Sequence, residues 1–182
     1  MKAKKVLQIV RALDFAAWAH SAQRRKGGER EPYVNHLTEV ARLAAQATKG
    51  RDDKLIIAAL LHDVLEDQAM RVNYKMLKEK FGKRVARIVR EVTDDRSLPK
   101  AERKRLQVVH AGEISPRAKL VKLADKICNL RDILASPPVH WPLQRQQAYF
   151  DWSAQVIAGV RGIHPQLEAV FDTLYARRPG QG

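Results

Sequence analysis

With 182 residues, 45% of them apolar and 30% charged, the chain is long enough to bury about 70% of its unfolded surface in one core, which excludes a disordered or fibrous protein. Its 34 Lys and Arg against 20 Asp and Glu leave a net charge of +14, which favours an anionic partner such as nucleic acid, a phosphorylated nucleotide or an acidic membrane surface without choosing among them. The single cysteine, Cys128, excludes an internal disulfide framework and suits a reducing cytoplasm.

Nearly every segment has the helical period, and no run alternates as a strand does. The spacing predicts a first helix over Lys4–Ala22 with Val6, Ile9, Val10, Leu13, Ala16 and Ala17 on its inner face. Arg11 and Asp14 interrupt the segment behind the basic Met1–Lys5 start, so no targeting signal is expected. A polar loop, Gln23–Pro32, leads to a second helix that Asn35 is placed to cap and that carries His36, Val40, Leu43 and Ala44. Asp52 or Asp53 opens a third helix through Leu55–Leu61, the longest strongly apolar stretch and far too short to span a membrane. Two amphipathic pieces, Tyr74–Phe81 and Lys83–Thr93, divide at Gly82. Helices over Lys100–Ala111, Ser115–Leu134, Pro142–Val160 and Pro165–Ala176 follow, with Pro137-Pro138 as a break and 177–182 as a frayed tail. The expectation is a single all-α domain over 1–182, a bundle of roughly eight to ten helices. Cys128 falls on an apolar stripe and reads as a small core residue.

Chemistry concentrates where charge interrupts an apolar run, at His62-Asp63 and Glu66-Asp67. Unpaired carboxylates buried there would cost several kcal/mol, and a divalent metal is one compensation. On a continuous helix His62 faces the same way as Glu66, and Asp63 the same way as Asp67. The alternative is a structural ion-pair cluster. His36 and Asp125 are the further ligand candidates: Asp125 lies at the edge of the stripe formed by Leu120, Leu123, Ala124, Ile127 and Leu130, with Asn129 one turn on. Their bland alternatives are a helix-capping histidine and a surface ion pair with Lys122 or Lys126. Two imidazoles and two carboxylates suit Mn²⁺ or Fe²⁺, with Zn²⁺ as a further option, and disfavour Ca²⁺.

In this order His36, His62-Asp63 and Asp125 resemble the metal set of the HD-domain phosphohydrolases. The segments Arg25-Lys26-Gly27, Pro32–His36, Ala59–Asp67, Glu91–Asp95 and Lys122–Leu130 are similar to the hydrolase domain of the Rel/Spo family across nearly the whole chain. With no synthetase region following, the expectation is a stand-alone small alarmone hydrolase. The resemblance implies Mn²⁺-dependent hydrolysis of ppGpp or pppGpp to GDP or GTP and pyrophosphate, with metal on His36, His62, Asp63 and Asp125 and with Glu66 and Asp67 acting on water. It implies substrate contacts at Arg25, Lys26, Asn129, Arg145 and Tyr149. Arg25-Lys26 also reads as solvated loop charge, and the Lys100–Arg105 cluster reads equally as a 5′-diphosphate contact or a solvated face. The chain departs from the family pattern at Leu37, where a proline is usual, and at Gln68–Arg71, where threonine-rich sequence is usual.

A second enzyme reading keeps the site and changes the substrate to NADPH or another 2′- or 3′-phosphorylated nucleotide. A different class is a basic nucleic-acid-binding protein. It is disfavoured because the positive charge is spread along the chain and no helix-turn-helix or aromatic RNA-binding motif stands out. No membrane partner is expected, and a homodimer is left open.

Overall fold

A computed structural model describes residues 3–180, which form ten α-helices and no strand longer than an isolated bridge. In chain order these are α1 (Ala3–Ala19), α2 (Val34–Ala47), α3 (Asp53–Leu60), α4 (Val64–Asp67), α5 (Tyr74–Phe81), α6 (Lys83–Val92), α7 (Lys100–His110), α8 (Pro116–Ala135), α9 (Leu143–Ala158) and α10 (Pro165–Tyr175). Among the described residues no helix is long and apolar enough to cross a membrane.

Local chemistry sets the helix starts. Asp52 accepts the Leu55 amide at 3.1 Å, Asn73 accepts that of Met76, and Ser115 accepts that of Ala118 ahead of Pro116, so each occupies one of the orphan donors of a first turn. Asn35 does not cap α2: Tyr33 holds that position, and Asn35 lies inside the first turn. Gly82, at φ 86°, separates α5 from α6 in a conformation that a side chain would strain.

Two helices form the centre. α3 buries every residue from Leu55 to Leu60, and α8 buries the predicted stripe of Leu120, Leu123, Ala124, Ile127 and Leu130 together with Cys128. α2, α6 and the inner side of α1 pack around them. α1 differs from expectation. Its core side is the small-residue line Ala12, Ala16 and Ala19, while Val6 and Val10 are exposed and Ala17 is half-buried. The close approach that alanines allow sets which face turns inward, and hydrophobicity alone does not reveal it.

α8 also buries two lysines. Lys122 donates to the Val92 carbonyl at 2.9 Å, at the C-terminal end of α6, where the helix dipole favours a cation. The end of the chain is docked: the Arg178 guanidinium holds Asp151 of α9 at 2.6 and 2.8 Å, and Gln147 donates to the Pro179 carbonyl. The expected fraying at 177–182 does not extend to 177–180, because an ion pair and a backbone bond tie them down. Residues 181 and 182 lie outside the described range.

Candidate metal centre and adjoining cavities

His36 comes from the first turn of α2, Asp125 from the middle of α8, and His62 and Asp63 from the junction of α3 and α4. That junction is a turn and not the expected continuous helix. The Leu61 amide is shared between the Ile57 and Ala58 carbonyls, and the Val64 amide bonds Leu61 three residues back, so the spiral tightens before α4 begins. His62 Nδ1 reaches the Ala59 carbonyl at 2.8 Å, an acceptor that the end of α3 leaves open. The proton this bond requires on Nδ1 leaves Nε2 as the lone-pair side of the ring in its neutral form.

Four groups converge. His36 Nε2 lies 3.2 Å from Asp125 Oδ1 and 3.9 Å from Asp63 Oδ2, and His62 Nε2 lies 3.0 Å from Asp63 Oδ2 and 3.7 Å from Asp125 Oδ1. Ligand atoms of His36, His62 and Asp63 all fall within 4.8 Å of one another. Both Nε2 atoms are buried and lack a well-directed hydrogen bond. Buried polar atoms are seldom left so, and a ring of two imidazoles and two carboxylates is the donor set of a divalent metal site. Without metal the cluster balances itself with protons. Burial lowers the His62 pKa, but Asp63 and Asp125 outweigh it and push it up to about 10.

Neighbours hold each carboxylate. Tyr33 donates its hydroxyl to Asp63 Oδ2 at 2.7 Å while its ring stacks on His20. Asp125 Oδ1 accepts from Asn129 Nδ2 at 2.7 Å, and its Oδ2 accepts from Lys126 at 3.2 Å. Lys126 is therefore a partner of Asp125, but Lys126 is buried and Asp125 half-buried on the cavity wall, so the surface-pair alternative fails. Arg25 donates to Asn129 Oδ1 at 3.0 Å and pairs with Asp132, so it is not a solvated loop charge. Its loop is pinned where Gly27 meets the end of α8: a Cβ there would stand 2.7 Å from the Ser136 carbonyl oxygen.

Glu66 and Asp67, on α4, differ in environment. Asp67 accepts from Gln23 Nε2 at 2.7 Å and pairs with Arg96, and Gln68 donates to Gln23 at 2.7 Å, so one departure from the family pattern supports the pair next to it. Glu66 accepts the Asp94 amide at 3.1 Å and meets Arg96 Nε at 3.2 Å. Burial, with Asp94 and Asp63 nearby, raises the Glu66 carboxyl to about 7.

A polar cavity of about 230 Å³ opens over His62, Asp63, Glu66 and Asp125, and a second of about 570 Å³ lies between the Gln23–Pro32 loop and Trp141. They share Lys26, Tyr33, Asp67, Arg96, Asn129 and Tyr149 as a common wall. Arg145 lines neither; it is exposed and lies 4.5 Å from the Trp141 ring centroid. Tyr33, Arg96, Asp94, Gln23 and Lys126 were not legible as site residues. One signal existed for Lys126: Lys122, Asp125, Lys126 and Asn129 make a polar i, i+3, i+4, i+7 line inside an otherwise apolar helix.

A helical bundle that gathers His, His-Asp and Asp in this order around one buried centre defines the HD class, and residues 12–149 match the HD domain family, to which the chain belongs. The similarity reaches further than the shared domain. The chain is 48% identical over 171 residues to guanosine-3′,5′-bis(diphosphate) 3′-pyrophosphohydrolase MESH1 of Homo sapiens, covering 94% of each, and 45% identical over 178 residues to that of Danio rerio, covering 98% of each. A solved structure described as a metazoan ortholog of SpoT that hydrolyzes ppGpp superposes with a TM-score of 0.90 at 42% identity, covering 94% of this chain and 95% of that one.

Proposed function

We propose that this protein hydrolyses guanosine 3′,5′-bis(diphosphate), and its 5′-triphosphate relative, at the 3′ position, giving GDP or GTP and pyrophosphate. The observation that carries the reading is the pair of orphaned histidine nitrogens facing two carboxylates, with Glu66 one helical turn beyond. Near-full-length similarity to named ppGpp pyrophosphohydrolases supports the choice of substrate.

His36, His62, Asp63 and Asp125 would hold one Mn²⁺, for which Fe²⁺ and Zn²⁺ compete. Bound there, the ion supplies Lewis acidity toward a phosphate oxygen and a lower pKa for water. Glu66 is the general base. Both carboxylates meet Arg96, but that of Glu66 is poised near neutrality, and Asp67, which also accepts from Gln23, orients the water. Water adds to the phosphorus on the ribose 3′ oxygen, Glu66 takes its proton, the 3′ O–P bond breaks, and one proton ends on the 3′ oxygen. Lys26, Asn129 and Tyr149, on the wall between the cavities, place the ribose and phosphates between the metal side and the wider space. Arg25 fixes Asn129, and Arg145 stands outside this wall at the rim. Every group named comes from one chain. The buried free thiol of Cys128 fits a cytoplasmic setting.

The test is pyrophosphate release from guanosine 3′,5′-bis(diphosphate) with and without Mn²⁺, for the wild type, Asp63→Ala and Glu66→Ala. Mn²⁺-dependent release that both substitutions abolish is expected. A folded, metal-loaded wild type that releases none, while removing phosphate from NADPH, would overturn the substrate assignment.

A further inference from the structure

Four of the eight exposed large apolar side chains among the described residues lie on α1: Val6, Leu7, Val10 and Trp18. Its alanine line is in the core; Leu7 and Trp18 share one exposed line of the helix with Arg11 and Asp14, and Val6 and Val10 lie about a quarter-turn to the side. Leu7, at 49% exposed, and Trp18, at 51%, bracket Arg11 and Asp14, and the four are spaced by four, three and four residues. That is the spacing of a coiled-coil seam, held over about 16 Å of helix. Arg11 and Asp14 are both exposed, and neither forms an ion pair among the described residues.

We propose that this face pairs with α1 of a second copy of the chain, antiparallel and about a two-fold axis between Arg11 and Asp14. The pattern is self-complementary in that register alone. Leu7 lies opposite the partner's Trp18, Arg11 lies opposite the partner's Asp14, and the two-fold repeats both pairs. A slip by one turn sets Asp14 against the partner's Asp14 or Arg11 against the partner's Arg11, and a parallel arrangement does the same to both, so like charges reject the alternatives. Charge complementarity favours a second copy over an anionic lipid surface, because Asp14 sits in the middle of the apolar face. A two-helix seam is at the small end of specific interfaces, so a dissociation constant between about 1 μM and 1 mM is expected.

Sedimentation equilibrium on the full chain, with Arg11→Asp, Asp14→Arg and the double exchange, tests the register. Each single variant puts like charges opposite one another, and its self-association should weaken at least about tenfold. The double exchange should restore it, and an equimolar mixture of the two single variants should form a mixed dimer tighter than either alone. All four positions in the seam are at least partly in solvent, so the fold should survive, and circular dichroism checks that it does. A wild type monomeric at about 1 mM overturns the proposal, including one that instead sediments with anionic phospholipid vesicles. So does a dimer whose affinity in both single variants equals that of the wild type.

Discussion

Tyr33 donates its hydroxyl to Asp63 Oδ2 at 2.7 Å, and this bond ties the residue that begins α2 to the turn that ends α3. Tyr33 is otherwise fixed by stacking on His20 and by the Arg25 guanidinium 5.5 Å from its ring centroid. Groups that hold a ligand carboxylate tune metal affinity by about 10- to 100-fold. Tyr33→Phe keeps the ring packing and removes only the hydroxyl. Isothermal titration with Mn²⁺ should show a loss in that range with an unchanged melting temperature for the metal-free protein. Equal affinity in the two proteins would show that Asp63 needs no orienting partner.

Substituting Glu66 should separate catalysis from metal binding. Glu66→Gln keeps an acceptor for the Asp94 amide and loses the proposed base. The turnover of guanosine 3′,5′-bis(diphosphate) should fall about 10²- to 10⁴-fold, with the Mn²⁺ dissociation constant within about threefold of the wild type. Retained turnover would transfer the role of base to Asp67.

The same substitution has a stability consequence with a definite sign. The Glu66 carboxyl is raised from 4.5 to about 7, by burial first and then by Asp94 and Asp63. The folded chain therefore keeps a proton that the unfolded chain releases, and stability contributed by this group falls as pH rises from 4.5 to 7. Above pH 7 the whole cost is present, at most about 3 kcal/mol. In metal-free protein, Glu66→Gln should melt higher than the wild type at pH 8, and the difference should vanish below pH 4.5. Equal melting temperatures at pH 8 would mean that Arg96 cancels the burial cost.

The loop that carries Arg25 and Lys26 depends on Gly27. A Cβ there would meet the Ser136 carbonyl oxygen at 2.7 Å and Oγ at 2.8 Å. In Gly27→Ala the loop must lift from the end of α8 and draw Arg25 away from Asn129. Steady-state kinetics should show KM raised several-fold with kcat changed less, because the distortion touches the proposed substrate contacts and spares the four groups proposed to hold the metal. A fall in kcat alone would contradict this placement of the loop.

Removing the metal should expose what balances the cluster. Without it, Asp63 and Asp125 depend on protonated imidazole and on Lys126. Mn²⁺ should raise the melting temperature of the wild type and leave that of Asp63→Ala almost unmoved in a thermal shift assay. An equal rise in both would place the ion elsewhere.

Much of this was legible in sequence because helix periodicity and caps are local. The α8 stripe, Ser115-Pro116, Asp52 and Gly82 fell where the pattern set them. The all-α fold and the HD-domain resemblance were legible for the same reason, since each motif is a short run whose spacing survives without contacts. Most of the errors were non-local. Val6 and Val10 are as hydrophobic as core residues, and only the approach of α1 on its alanines turns them outward. The turn at Leu61–Asp63 was hidden because the apolar run from Leu55 carries on through Val64 and Leu65, and the bond from His62 to the Ala59 carbonyl, three residues back, leaves no mark in that pattern. Arg96 and Gln23 reach the site from distant loops, and no spacing announces them.

The Arg25–Asn129–Asp125 chain joins the loop proposed to meet the substrate to a carboxylate proposed to hold the metal through two hydrogen bonds. Such a chain is a thermodynamic linkage. If an arriving phosphate draws Arg25 off Asn129, the amide that steadies Asp125 is altered, and the affinity for the ion changes with it. By reciprocity the ion must alter the affinity for the nucleotide by the same factor. The two ligands of this enzyme are then effectors of each other, and neither dissociation constant has a meaning apart from the concentration of the other.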